Sequence, residues 1–145
     1  MLRNFSCLLF FLIFLGSKAI AQNTTEPWNS SQLLAPKALS DMISAHQTKD
    51  LLILSVGPEA LIKGSVDIGP AHEPAHLQKL KDYLKNVPKD KEVIIYCGCC
   101  PFDKCPNIRP AFNVLTTMGF RNARLLNLSR NIKADWIDKK YPIAE

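Results

Sequence analysis

The sequence predicts an α/β fold: one domain with a parallel central sheet flanked by helices. Three observations carry that expectation. Continuous apolar runs at Leu51–Val56 (LLILSV), Val93–Tyr96 (VIIY) and Ala123–Leu128 (ARLLNL) read as strands buried on both faces. Segments with apolar residues at helical spacing separate them. Strands that alternate with helices imply parallel pairing with helices on both sides of the sheet.

Each element follows in order. After Pro36, Leu39, Met42, Ile43 and His46 recur at helical spacing behind an early proline. Leu51–Val56 is the first core strand, broken by Gly57-Pro58. A short extended stretch is expected at Gly64–Ile68. Leu77, Leu80 and Leu84 then stripe a helix that ends before Pro88. Val93–Tyr96 is the second strand. Arg109 to Met118 is a helix with Ala111, Leu115 and Met118 inward and Gly119 as its stop. Ala123–Leu128 is the third strand, and a last short helix carries Ile132 and Trp136. Trp136, Tyr83 and Met118 are expected to pack in the core.

The 145-residue chain divides into residues 1–21, 22–31 and 32–145. Arg3, the apolar run Cys7–Gly16 and the small residues Ala19 and Ala21 form a secretory signal, cut near Ala21. The run is too short to span a bilayer, so no membrane span is expected after cleavage. The mature protein is expected to be exported, to a periplasm or the extracellular space. Residues 22–31 are polar and read as a flexible leader. Residues 32–145 form one domain, large enough for one core. Without Arg3 and Lys18 the chain keeps 16 Lys and Arg against 13 acids. The cations are interspersed with acids, as in KLKDYLK, which argues for a solvated surface and against a nucleic-acid partner. Oligomeric state is not fixed by the sequence.

The chemistry concentrates in YCGCCPFDKCPN, Tyr96–Asn107. Four of the five cysteines, Cys97, Cys99, Cys100 and Cys105, fall there, and the fifth, Cys7, leaves with the signal. An even set in an exported protein suggests disulfides, but these pairs could close only tiny loops, which stabilise little. In a parallel α/β sheet, ligands bind beyond the carboxyl ends of the strands. Cys97 follows such an end, and a helix starts shortly after. Backbone N–H groups converging there favour a thiolate, so Cys97 is the reactive candidate and is expected to be exposed. Lys104 and Arg109 are the nearby cations that would attract an anionic donor or steady the thiolate, and Gly98 lies in the same loop. Asn107 is a candidate helix N-cap, Phe102 a candidate lid over the thiols, and His72 and His76 in HEPAH read as a solvated turn.

The order VIIYC, loop, Ala111-x-x-x-Leu115-x-x-x-Gly119-Phe120, RLLNL, a Trp helix and YPI resembles the rhodanese domain. LLILSV and LIKGSVDIGPA resemble its first core strand and its Gly-His-Ile-x-Gly-Ala region. The likeness runs from about Gln32 to Ile143, and CGCCP…CPN…RPA marks an exported subtype. The resemblance implies a sulfurtransferase in which Cys97 attacks a sulfane-sulfur donor such as thiosulfate and holds the sulfur as a persulfide. It implies a small-molecule donor, a thiol acceptor and no cofactor. Gly98, Lys104 and Arg109 would bind substrate. This sequence departs from the family at Ser55-Val56-Gly57, where Asp-x-Arg is usual, at Gly64-Ser65-Val66, where Gly-His-Ile is usual, and in a longer active loop.

Other readings of the loop stay open. Cys105, Cys100 or Cys99 could resolve the persulfide as a disulfide, coupling sulfur transfer to redox. The loop could be a dithiol redox centre in its own right. Cys97, Cys99, Cys100 and Cys105 could instead ligate zinc or copper. Finally, the domain could be a binding module with a cross-linked loop.

Overall fold

In the computed structural model, residues 26–145 are described, and the expected signal over residues 1–21 lies outside them. Five strands form one sheet: β1 (Leu33–Leu34), β2 (Leu51–Ser55), β3 (Val66–Asp67), β4 (Glu92–Tyr96) and β5 (Ala123–Leu126). Their order is β1-β5-β4-β2-β3, and every ladder is parallel. Three α-helices flank the sheet: α1 (Pro36–Ser44), α2 (Pro74–Leu84) and α3 (Ile108–Thr117). A single π-helical turn, Lys133–Ile137, takes the place of the expected last helix. This is the single α/β domain that the sequence predicts, in the arrangement that the rhodanese resemblance implies.

Period-two alternation along the strands splits the core in two. Leu54, Val93, Ile95, Ala123 and Leu125 face α2 and α3, with Leu80, Leu84, Ala111, Phe112 and Leu115 packed on them. Ile53, Ile94, Tyr96 and Leu126 face the other way, onto Leu39, Ile43 and Trp136. The two buried aromatic side chains with polar atoms in the second layer find partners. Trp136 donates its indole N–H to the Pro142 carbonyl at 2.9 Å. The Tyr96 hydroxyl accepts from the Ile62 backbone N–H at 3.2 Å and pairs with the Ser65 hydroxyl at 3.0 Å.

The local signals act as expected at the helix ends. Pro36 and Pro74 each open a helix, where their missing N–H costs nothing. Gly119 has φ +81° just past α3. Its N–H bonds Thr116 and that of Phe120 bonds Leu115, closing the helix in a Schellman motif.

Two expectations change. Tyr83 is 40% exposed rather than core: it lies one residue before buried Leu84, which puts it on the outer face of α2. The expected leader is described from Glu26, and from there it is packed. Trp28 lies edge-on to Phe112 at 5.7 Å and tilted against Phe102 at 6.1 Å. Glu26 pairs with Arg109. Beyond them Asn29 and Gln32 form a reciprocal capping box on a short 3₁₀ turn. Trp28→Ala is expected to cost about 2 kcal/mol, from half-buried aromatic area and two aromatic contacts. Urea denaturation measures it.

Among the described residues, no helix is long and apolar enough to cross a membrane.

Candidate functional site

The register places the site. Ser55 pairs with Tyr96, so the carboxyl ends of β2 and central β4 lie side by side. The Val56 N–H then bonds the Tyr96 carbonyl at 2.9 Å, extending the pairing by one residue. Gly57 and Cys97 follow and touch. A Cβ on Gly57 would stand 2.7 Å from Cys97 Sγ and 3.3 Å from its Cα, so the thiol occupies the space that glycine leaves.

The loop from Cys97 to Asn107 folds back over this point. The Gly98 carbonyl accepts from Ile132 N–H at 2.9 Å, and the Leu128 carbonyl accepts from Phe102 N–H at 3.0 Å. A 3₁₀ turn at Phe102–Lys104 then returns the chain so that Cys105 is buried beside Cys97. The four expected thiols are thereby gathered. Cys99 Sγ lies 3.3 Å from Cys97 Sγ, 3.1 Å from Cys100 Sγ and 3.8 Å from Cys105 Sγ. The sulfurs of Cys97, Cys99 and Cys105 all lie within 4.8 Å of one another. These separations exceed a disulfide bond, and all four are free thiols.

Cys97 is 1% exposed, not the open thiol expected from its place at a strand end. The longer loop covers it, and Cys99 is the exposed member. Burial alone would raise the Cys97 pKa. It is nevertheless held at about 5, first by the facing Cys105 sulfhydryl, then by the Cys99 backbone N–H, the Asn107 side chain and the Cys99 thiol. The Asn107 Nδ2–H donates to Cys97 Sγ at 3.3 Å. The partners shift the opposite way. Burial and hydrogen bonds to Cys100 and Cys97 push Cys99 up to about 12. The facing Cys97 sulfur and burial push Cys105 well upward too. One negative charge therefore sits on Cys97, with protonated thiols as its donors.

One expectation about a neighbour is corrected. Asn107 precedes α3 but makes no side-chain cap. Its amide is turned to Cys97 and to His72 instead. Arg109 donates to Glu26 and to the Asp103 carbonyl and lies 5.7 Å from the Trp28 ring. Lys104 is exposed on the 3₁₀ turn. Gly98 serves close approach, since a Cβ there would meet Ile132 at 2.8 Å. Phe102 leans on Trp28. Gly57 and His72 are site residues that the sequence reading missed. Beside Cys99, a cavity of about 220 Å³ is lined by Pro58, Glu59, Leu61, Gly98, Cys99 and Ile132. The arrangement suits sulfur chemistry at Cys97, or the holding of a thiophilic metal by Cys97, Cys99 and Cys105.

Neither protein-family models nor curated proteins match the chain. Among solved structures, it is similar to a variant of EanB in complex with hercynine. That match has 15% identity and a TM-score of 0.54, over 79% of this chain and 27% of that one. It is also similar to a NAD-dependent persulfide reductase from A. fulgidus, with 23% identity and a TM-score of 0.37, over 61% of this chain and 14% of that one. The chain spans about a quarter or less of either protein. The first likeness is one of fold.

Proposed function

We propose that this protein is an exported sulfur-transfer protein of the rhodanese type, with Cys97 as the sulfur acceptor. The Cys97 thiolate attacks the outer sulfur of a sulfane donor such as thiosulfate. A new S–S bond forms at Cys97, the donor's S–S bond breaks, and sulfite leaves with the electron pair. An acceptor thiolate then takes the terminal sulfur, which restores the Cys97 thiolate. The cycle is redox-neutral and needs no cofactor.

One observation carries this reading: the buried Cys97 sulfur lies against the Asn107 amide and the Cys99 thiol and faces Cys105, surroundings that hold its pKa at about 5. Thiolate attack on sulfur requires that charge state near neutral pH. The cavity beside Cys99 reaches Gly98, the residue next to Cys97. With Arg109 held by Glu26, Lys104 is the expected cation left to attract an anionic donor.

The test is the intact mass of the mature protein, native and denatured, before and after thiosulfate. Gain of one sulfur, mapped to Cys97 and removed by cyanide, is the expected result. A metal-sized increment confined to the native spectrum would overturn it.

A second reading has its own observation. The Cys99 sulfur lies 3.3 Å from Cys97 and is exposed where Cys97 is not. Attack by Cys99 on the inner sulfur of the persulfide would release hydrosulfide and leave a Cys97–Cys99 disulfide. Loss of two hydrogens without sulfur gain would favour this thiol redox role.

A further inference from the structure

We infer that His72 is a positioning residue for Cys97, acting through Asn107 by fixing the orientation of its amide. This inference rests on the reading of Cys97 as the nucleophile. His72 precedes α2, far from the cysteine loop in sequence, and its place is set by its neighbour: the Ala71 N–H bonds the Val56 carbonyl at 3.1 Å, beside Gly57. The His72 backbone N–H then meets the Asn107 amide at 3.0 Å, and its Nδ1 meets the same atom at 2.7 Å. Asn107 is itself buried at 3% exposure.

The orientation follows from donors and acceptors alone. A backbone N–H can only donate, so the amide atom facing His72 is the oxygen. The amide nitrogen therefore faces Cys97 Sγ, 3.3 Å away, where it too can only donate. Because Oδ1 accepts, Nδ1 of His72 must carry a proton. The two bonds to Oδ1 lock the amide and polarise its N–H toward the sulfur. Flipped, the same amide would turn a lone pair on the thiolate. The ionisable groups around this relay are the thiols Cys99, Cys100 and Cys105 on the loop, and Glu73, which lies 3.1 Å from His76.

The experiment compares the full mature protein with His72→Ala and His72→Asn. Asparagine offers a side-chain donor near the position of Nδ1; alanine leaves only the backbone N–H on Oδ1. The readouts are the acid midpoint of the ultraviolet thiolate absorbance and the rate of thiosulfate loading across pH. Expected for His72→Ala is a midpoint raised by about 0.7 of a pH unit, the size of one lost hydrogen bond. Loading at pH 5 then falls about threefold and by less at neutral pH, while His72→Asn restores most of both. A structural role alone would lower loading by the same factor at every pH, which would overturn the inference. So would an unmoved midpoint in His72→Ala, or an asparagine variant no better than alanine. A wild-type protein with no acid thiolate midpoint and no loading would refute the sulfur-transfer reading itself, an outcome distinct from any of these.

Discussion

Cys97→Ser is expected to reduce sulfur loading to background while leaving the fold intact, because serine fits the same space but is not ionised near neutrality. The pH profile of the unaltered protein should show why. With the thiolate pKa held at about 5, loading should be flat around neutrality and fall as pH drops through about 5. Stability follows the same group. A thiol whose folded pKa lies below its ordinary 9.0 stabilises the fold in full above that ordinary value, and the contribution is lost as pH falls through about 5. Folding stability should therefore rise with pH across this window, and Cys97→Ser should flatten the rise. Denaturant unfolding at several pH values measures both slopes. Cys105 supplies the largest of the contacts that favour the thiolate, so Cys105→Ala should move the loading midpoint upward, whereas Cys105→Ser keeps a donor and should move it less. A loading profile centred on the ordinary thiol range would contradict the assignment.

The parts of the fold legible in the sequence are those whose signal is local. LLILSV, VIIY and the start of ARLLNL form β2, β4 and β5 because unbroken apolar runs suit strands covered on both faces. Pro36, Pro74 and Gly119 mark helix ends through backbone chemistry that one residue decides. β1 was not legible: two leucines after a polar stretch show no period, and they become a strand only through pairing with β5. The site divides the same way. Cys97 could be placed at a strand end from the chain alone. Its burial could not, since the cover comes from a loop anchored on Leu128 and Ile132. The role of Asn107 was hidden for the same reason. Ahead of a helix it reads as a cap, but the bonds to His72, 35 positions away, and to Cys97, 10 away, redirect its amide. The pairing of Arg109 with Glu26, 83 positions earlier, was equally out of reach of a local reading.

Gly57→Ala should have the largest effect of any substitution outside the thiols. The added methyl would stand 2.7 Å from Cys97 Sγ and 3.3 Å from its Cα. The Cα belongs to the chain leaving β4, which is pinned to β2 by the neighbouring Val56–Tyr96 bond and cannot retreat cheaply. The sulfur must therefore move. It sits among donors whose hydrogen bonds weaken steeply with distance and angle, so displacement releases the contacts that hold its pKa near 5. If the thiol returns to its ordinary 9.0, only about 1% is ionised at neutral pH, and loading should fall about a hundredfold. The stability loss should be modest, about 1–3 kcal/mol for one methyl forced into a packed site. Raising the pH separates this from unfolding. A displaced but folded thiol regains loading as pH approaches its new pKa, and an unfolded protein does not. Full loading by Gly57→Ala at neutral pH would mean that the Cys97 sulfur has room to move without losing its donors, and the tight contact at the ends of β2 and β4 would not be what tunes it.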